Sequence, residues 1–91
     1  MFVLISYDIP NDRRRGKLAD TLLDYGTRIQ YSVFEFNLSE GQLKELLAKI
    51  RKLHKPELDS IRCYRMCEAC RGKIEVFGTT PVTEDPVLYL V

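Results

Sequence analysis

The segment Phe2–Ile9, FVLISYDI, is apolar at both parities. Along an extended chain Val3, Ile5, Tyr7 and Ile9 share one face, and Phe2, Leu4, Ser6 and Asp8 share the other. A strand of this kind is covered on both faces. That is a heavy demand on 91 residues, because a chain this short buries only about 60–65% of its unfolded surface. The two helices that the rest of the sequence supplies cover one sheet face. The second face asks for another surface, and the commonest is a second copy about a two-fold axis.

The remaining elements follow from periodicity and punctuation. Pro10-Asn11-Asp12 stops the strand and offers Asn11 as a helix N-cap. Leu18, Leu22 and Tyr25, with Ala19 and Leu23 beside them, repeat as one face of a helix, and Gly26 is expected to close it as a left-handed C-cap. Thr27–Leu38 is rich in aromatic and β-branched residues and reads as strand, with Gln30-Tyr31-Ser32 marking either a bulge or a tight turn. Ser39 and Gln42 form a capping box for a second helix whose stripe is Leu43, Leu46, Leu47, Ile50 and Leu53. Strand signals resume over Leu58–Met66, break across a Cys67–Gly72 turn and return over Lys73–Phe77. A polar linker, Thr79–Pro86, leads to the apolar pentapeptide Val87–Val91. The order predicts an α+β, ferredoxin-like sandwich of βαββαβ type with an extra C-terminal strand, forming a two-fold homodimer. Residues 1–78 are expected to form the core domain. Residues 79–91 are expected to serve as a linker and a strand crossing to the partner subunit.

The net charge of +1 announces no particular partner, yet it is unevenly spread. Residues 39–56 carry +3 and residues 74–91 carry −3, while Arg13, Arg14, Arg15 and Lys17 fall within five positions. No run approaches the roughly 18 apolar residues of a membrane span, and the start lacks a basic leader. Three cysteines are too few for a disulfide scaffold. These features predict a cytoplasmic protein without membrane contact.

Few residues have the chemistry for a site. Asp8 ends the first strand. It either caps the turn at Asn11–Asp12 or, meeting its twin across a two-fold axis, holds a hard cation such as Mg²⁺ or Mn²⁺. The basic cluster sits in the first turns of a helix, where the dipole disfavours cations. It makes sense either as an anion-binding element for a phosphodiester backbone or as a solvated face with Arg15 or Lys17 paired to Asp12, Asp20 or Asp24. Arg28 lies near Tyr31, Phe34 and Phe36, aromatic rings that stack bases or simply pack. Cys63, Cys67 and Cys70 resemble half a zinc site, but the only histidine is His54, so buried thiols or a disulfide across the 67–70 turn are the expectation.

YDI at the end of the first strand, then RRR-G-KLADTLLDYG, RIQYSVFEF and a capped second helix together resemble the CRISPR-associated (Cas) protein two family. This is a small endonuclease of the adaptation module in antiviral defence. The likeness runs from Met1 to about Gly78. It implies a ferredoxin-like subunit in a two-fold dimer, with Asp8 of each subunit as the catalytic, Mg²⁺- or Mn²⁺-binding carboxylate. It implies nucleic-acid contacts at Tyr7, Arg13, Arg14, Arg15, Lys17, Arg28 and Phe34, the nucleic acid being double-stranded DNA, single-stranded RNA or both. It also implies metal-dependent phosphodiesterase activity during spacer acquisition, and the CRISPR integrase as a partner. The alternative within the same resemblance is a non-catalytic dimeric DNA-binding scaffold that bridges integrase dimers.

Overall fold

The structure is a computed structural model and describes residues 1–78 and Val82. Strand β1 (Phe2–Asp8) is followed by helix α1 (Asp12–Leu23), a hairpin of β2 (Thr27–Gln30) and β3 (Val33–Asn37), helix α2 (Glu40–Leu53), strand β4 (Ser60–Met66) and a single helical turn, α3 (Glu68–Arg71). The four strands form one antiparallel sheet in the order β2-β3-β1-β4. This is the expected α+β, ferredoxin-like arrangement. The pentapeptide Val87–Val91, the linker before it and the expected crossing strand lie outside the described residues apart from Val82.

The two faces of β1 part as their side chains dictate. Val3, Ile5, Tyr7 and Ile9 join Leu18 and Leu22 of α1, Phe34 and Phe36 of β3, and Leu43, Leu46 and Ile50 of α2 in one core. On the second face Leu4 and Ser6 are half-buried, Asp8 is exposed, and Arg71 of α3 lies over the ring of Phe2, 5.8 Å from its centroid. Both helix starts are as the sequence demands. Asn11 Oδ1 accepts from the Arg14 N–H at 2.9 Å, and Ser39 and Gln42 exchange both capping bonds.

Three expectations about elements are corrected. Gly26 is not a left-handed cap, since no glycine among the described residues has positive φ. Instead a Cβ there would sit 2.3 Å from the Glu35 carbonyl oxygen and 2.3 Å from Phe36 Cδ2; the glycine lets the chain pass tightly against β3. The strand expected at Lys73–Phe77 does not form, because the Lys73 and Ile74 N–H groups turn back to the carbonyls of Cys70 and Arg71. The Cys67–Gly72 turn holds the short helix α3. The Thr27–Leu38 segment divides into two strands about a turn at Tyr31-Ser32, and the fourth strand starts at Ser60 rather than Leu58.

Candidate functional site

Sheet topology gathers the chemically capable residues at one end. The C-terminal end of β1, the start of α1, the β2–β3 turn and the start of β4 all meet there. The Tyr7 N–H donates to the Ser32 carbonyl at 3.1 Å, and Asp8 pairs with Ser60 in the β1–β4 ladder.

Asp8 stands on the second sheet face, in a hollow of about 280 Å³ lined by Ser6, Tyr7, Ser60, Arg62 and Tyr64. Its carboxylate is exposed and makes no hydrogen bond or ion pair among the described residues. The turn-capping alternative is thereby set aside: Asn11, not Asp8, caps the following helix. Arg62, diagonal to Asp8 across the β1–β4 ladder, donates to the Tyr64 hydroxyl at 3.3 Å. That phenol is also the main cause of a guanidinium pKa raised above its ordinary value.

The basic cluster divides into members held within the chain and members left outside. Arg14 is held: its Nε and Nη2 donate to the two carboxylate oxygens of Asp59 at 2.6 and 2.7 Å, and both side chains are nearly or fully buried. The Arg14 guanidinium holds the Asp59 carboxyl down at about 2. Such a forked, charge-assisted pair fixes geometry strongly, so Arg14 joins α1 to the turn before β4. Arg15 pairs with Asp12 and donates to the Ile9 carbonyl at 2.9 Å, one of the internal pairings the sequence allows. Arg13 and Lys17 remain exposed, with neither in an ion pair among the described residues. They flank a groove with Asn11, Arg14 and Leu53.

The aromatic residues divide in the same way. Phe34 has no exposed surface and Tyr7 very little; their rings stack at 6.3 Å inside the core. Both rings are enclosed in the core and support the residues above them. The Tyr7 hydroxyl donates to the Tyr31 carbonyl at 3.3 Å, and Phe34 lies under the Arg28 guanidinium at 5.3 Å. The ring that faces solvent is Tyr31, 68% exposed, with Arg28 at 5.4 Å and Arg15 at 5.9 Å from its centroid. Sequence reasoning places Tyr31 among the aromatics near Arg28 without choosing it. The polar neighbours Gln30 and Ser32 are the signal, since they mark the turn that lifts the ring out. Asp59, Arg62 and Tyr64 carry no such signal.

The cysteines are exposed and free rather than buried. Among the described residues no three His, Cys, Asp or Glu side chains gather as a metal site. No helix among them is long and apolar enough to cross a membrane.

Comparison with known proteins matches residues 1–74 to the family described as CRISPR associated protein Cas2. A CRISPR-associated endoribonuclease Cas2 from Synechocystis is 45% identical over 83 residues, spanning 91% of this chain and 90% of that one. The crystal structure of Streptococcus pyogenes Cas2 superposes with a TM-score of 0.75 at 28% identity, covering 86% of this chain and 100% of that chain. A chain of a partial Cas6-RT-Cas1–Cas2 complex does so with a TM-score of 0.75 at 28% identity, covering 93% of each.

Proposed function

This chain belongs to the CRISPR-associated Cas2 family, and from that premise we propose that it is a homodimeric, divalent-metal-dependent nuclease of CRISPR adaptation whose site is built from Asp8 of each subunit. The observation that carries the proposal is an exposed, unpaired carboxylate at the end of a buried strand, on the sheet face opposite the helices. A carboxylate kept for stability is found paired, as Asp59 is. Asp8 has no such partner among the described residues.

The donor set suits a hard cation only across two chains. One chain supplies a single carboxylate, with the hydroxyl-bearing Ser6 and Ser60 in the same hollow. Mg²⁺ and Mn²⁺ take one or two carboxylates and complete their shell with water and phosphate oxygens, which two copies of Asp8 provide. Such an ion supplies charge neutralisation at the phosphate and acidity for the attacking water. The chain's own residues do the rest. Arg13 and Lys17 attract the phosphodiester backbone at the start of α1, where free N–H groups also favour anions. Tyr31, exposed and with the Arg28 and Arg15 guanidinium groups close to its ring, offers a ring and positive charge together to a base and its phosphate. The family relative from Synechocystis is named an endoribonuclease, which favours RNA as the first substrate to try.

A second function, a DNA-binding scaffold for the CRISPR integrase, is favoured by the likeness to a chain of a Cas1-containing complex and needs only the basic rim. Asp8→Asn separates the two. With Mg²⁺ present, the nuclease reading predicts that this variant loses cleavage of single-stranded RNA or double-stranded DNA by about a hundredfold or more. It should bind nucleic acid as well as or better than before, because a negative charge near the phosphates is gone. Cleavage at the parental rate would mean that the activity comes from another site or from a contaminant, and would end the assignment to Asp8. Binding retained, with no cleavage by either protein, would leave the scaffold.

A further inference from the structure

The Cys67-x-x-Cys70 pair is absorbed by none of this chemistry. The two sulfurs lie 3.3 Å apart, in hydrogen-bond contact, and both side chains face solvent. Cys67 is the residue before α3, and its sulfur also accepts the Cys70 N–H at 3.4 Å. One turn of helix therefore brings two thiols to within about 1.3 Å of a covalent S–S separation. A metal does not account for the arrangement. A tetrahedral zinc needs four ligands, and among the described residues no third ligand joins the pair; Cys63 stands on β4, opposite Ile5. Packing does not account for it either, because both thiols lie outside the core.

We propose that Cys67 and Cys70 form a redox-active dithiol that closes to an intrachain disulfide by exchange with small-molecule disulfides. Cys67 is the attacking thiol. The Cys70 N–H and thiol hold its pKa below the ordinary thiol range, while contact with Cys67 raises that of Cys70. The Cys67 thiolate attacks one sulfur of the disulfide RS–SR, forming Cys67–S–S–R and expelling one RS⁻. Cys70 then loses its proton and its sulfur attacks that of Cys67, expelling the second RS⁻. Two protein thiols and one RS–SR thus yield one protein disulfide and two RSH, and two electrons pass to the small molecule. Closure clamps the turn that carries Arg71 over Phe2, so the exchange acts on α3 with little backbone travel.

The test treats the full-length protein with oxidised glutathione and follows intact mass, free thiols and peptide maps. The expected product is a chain lighter by two hydrogens and not covalently linked to another, bridged between Cys67 and Cys70, with Cys63 still free. Cys70→Ser should stop at the mixed disulfide and accumulate a glutathione adduct on Cys67. Cys67→Ser should react several-fold more slowly, through Cys70 alone. Stable glutathione adducts on both cysteines of the parent protein would overturn the proposal. So would bridges between chains, or equal reaction rates for the two serine variants.

Discussion

Two carboxylates at the same end of the sheet have opposite circumstances. Asp59 is enclosed by Arg14 and also accepts the Lys55 N–H at 2.9 Å. Asp8, whose ladder partner Ser60 directly follows Asp59, stands in a hollow with no partner for its carboxylate among the described residues. The first predicts a pH effect on stability. Asp59 titrates at about 2 in the folded chain against an ordinary value of 3.8. Its contribution is therefore fully present above about pH 4 and lost as pH falls from there through 2. Asp59→Asn should lower the denaturation midpoint clearly at pH 7, with the gap to the parent protein narrowing between pH 4 and pH 2 in urea titrations. A gap independent of pH would mean that Arg14 and Asp59 do not stabilise the fold as an ion pair. Asp8→Asn, by contrast, removes no ion pair among the described residues and should lower the unfolding free energy by no more than about 0.5 kcal/mol. The chemical meaning of Asp8 is open to reading from its place at a strand end. The Arg14–Asp59 pair is not, because its partners are 45 positions apart and only the fold brings them together.

At the scale of elements, helix α1 does two things at its two ends. Its first two turns place Arg13 and Lys17 in solvent, and Arg13, in the first, stands at the positive end of the helix dipole, an arrangement that costs about 0.3–1 kcal/mol and is offset when a phosphate arrives. Arg13→Ala with Lys17→Ala should weaken nucleic-acid binding and reduce the log–log salt slope by about one unit for each phosphate no longer neutralised, read from titrations at several salt concentrations. Arg14→Ala instead should act first on stability, so replacing all three arginines together mixes folding with binding. After the last turn, Gly26 passes the Glu35 carbonyl and the Phe36 ring with no room for a Cβ. Gly26→Ala should cost about 1–3 kcal/mol in denaturant unfolding; an unchanged midpoint would show that the hairpin gives way freely. The two amphipathic helices and their caps are legible because 3.6-residue periodicity and capping chemistry are local. The absence of a strand at Lys73–Phe77 is not. Ile74, Val76 and Phe77 carry an apolar signal, but a strand needs a ladder partner, and the N–H groups of Lys73 and Ile74 are already directed back to α3.

For the molecule as a whole, one face of the sheet closes over a core of two helices, and the other carries Leu4, Val33, Tyr64 and Asp8 at or near the surface. The two-fold dimer proposed here joins copies so that those faces bring the two Asp8 carboxylates together. The doubly apolar β1 is the part of this most legible in the sequence, because a short chain with two helices cannot cover both faces itself. Nothing local to Asp8 announces a symmetry mate, which is why the metal reading rests on the assembly. A chain ending at Thr80 should form weaker dimers by sedimentation if the C-terminal strand crosses between subunits, and equally stable ones if it does not. Titrating the protein with Mn²⁺ and measuring stoichiometry shows whether two chains hold one cation jointly. One ion for every two chains is expected, with binding abolished in Asp8→Asn. One ion per chain, or binding undiminished by that substitution, would contradict a shared site.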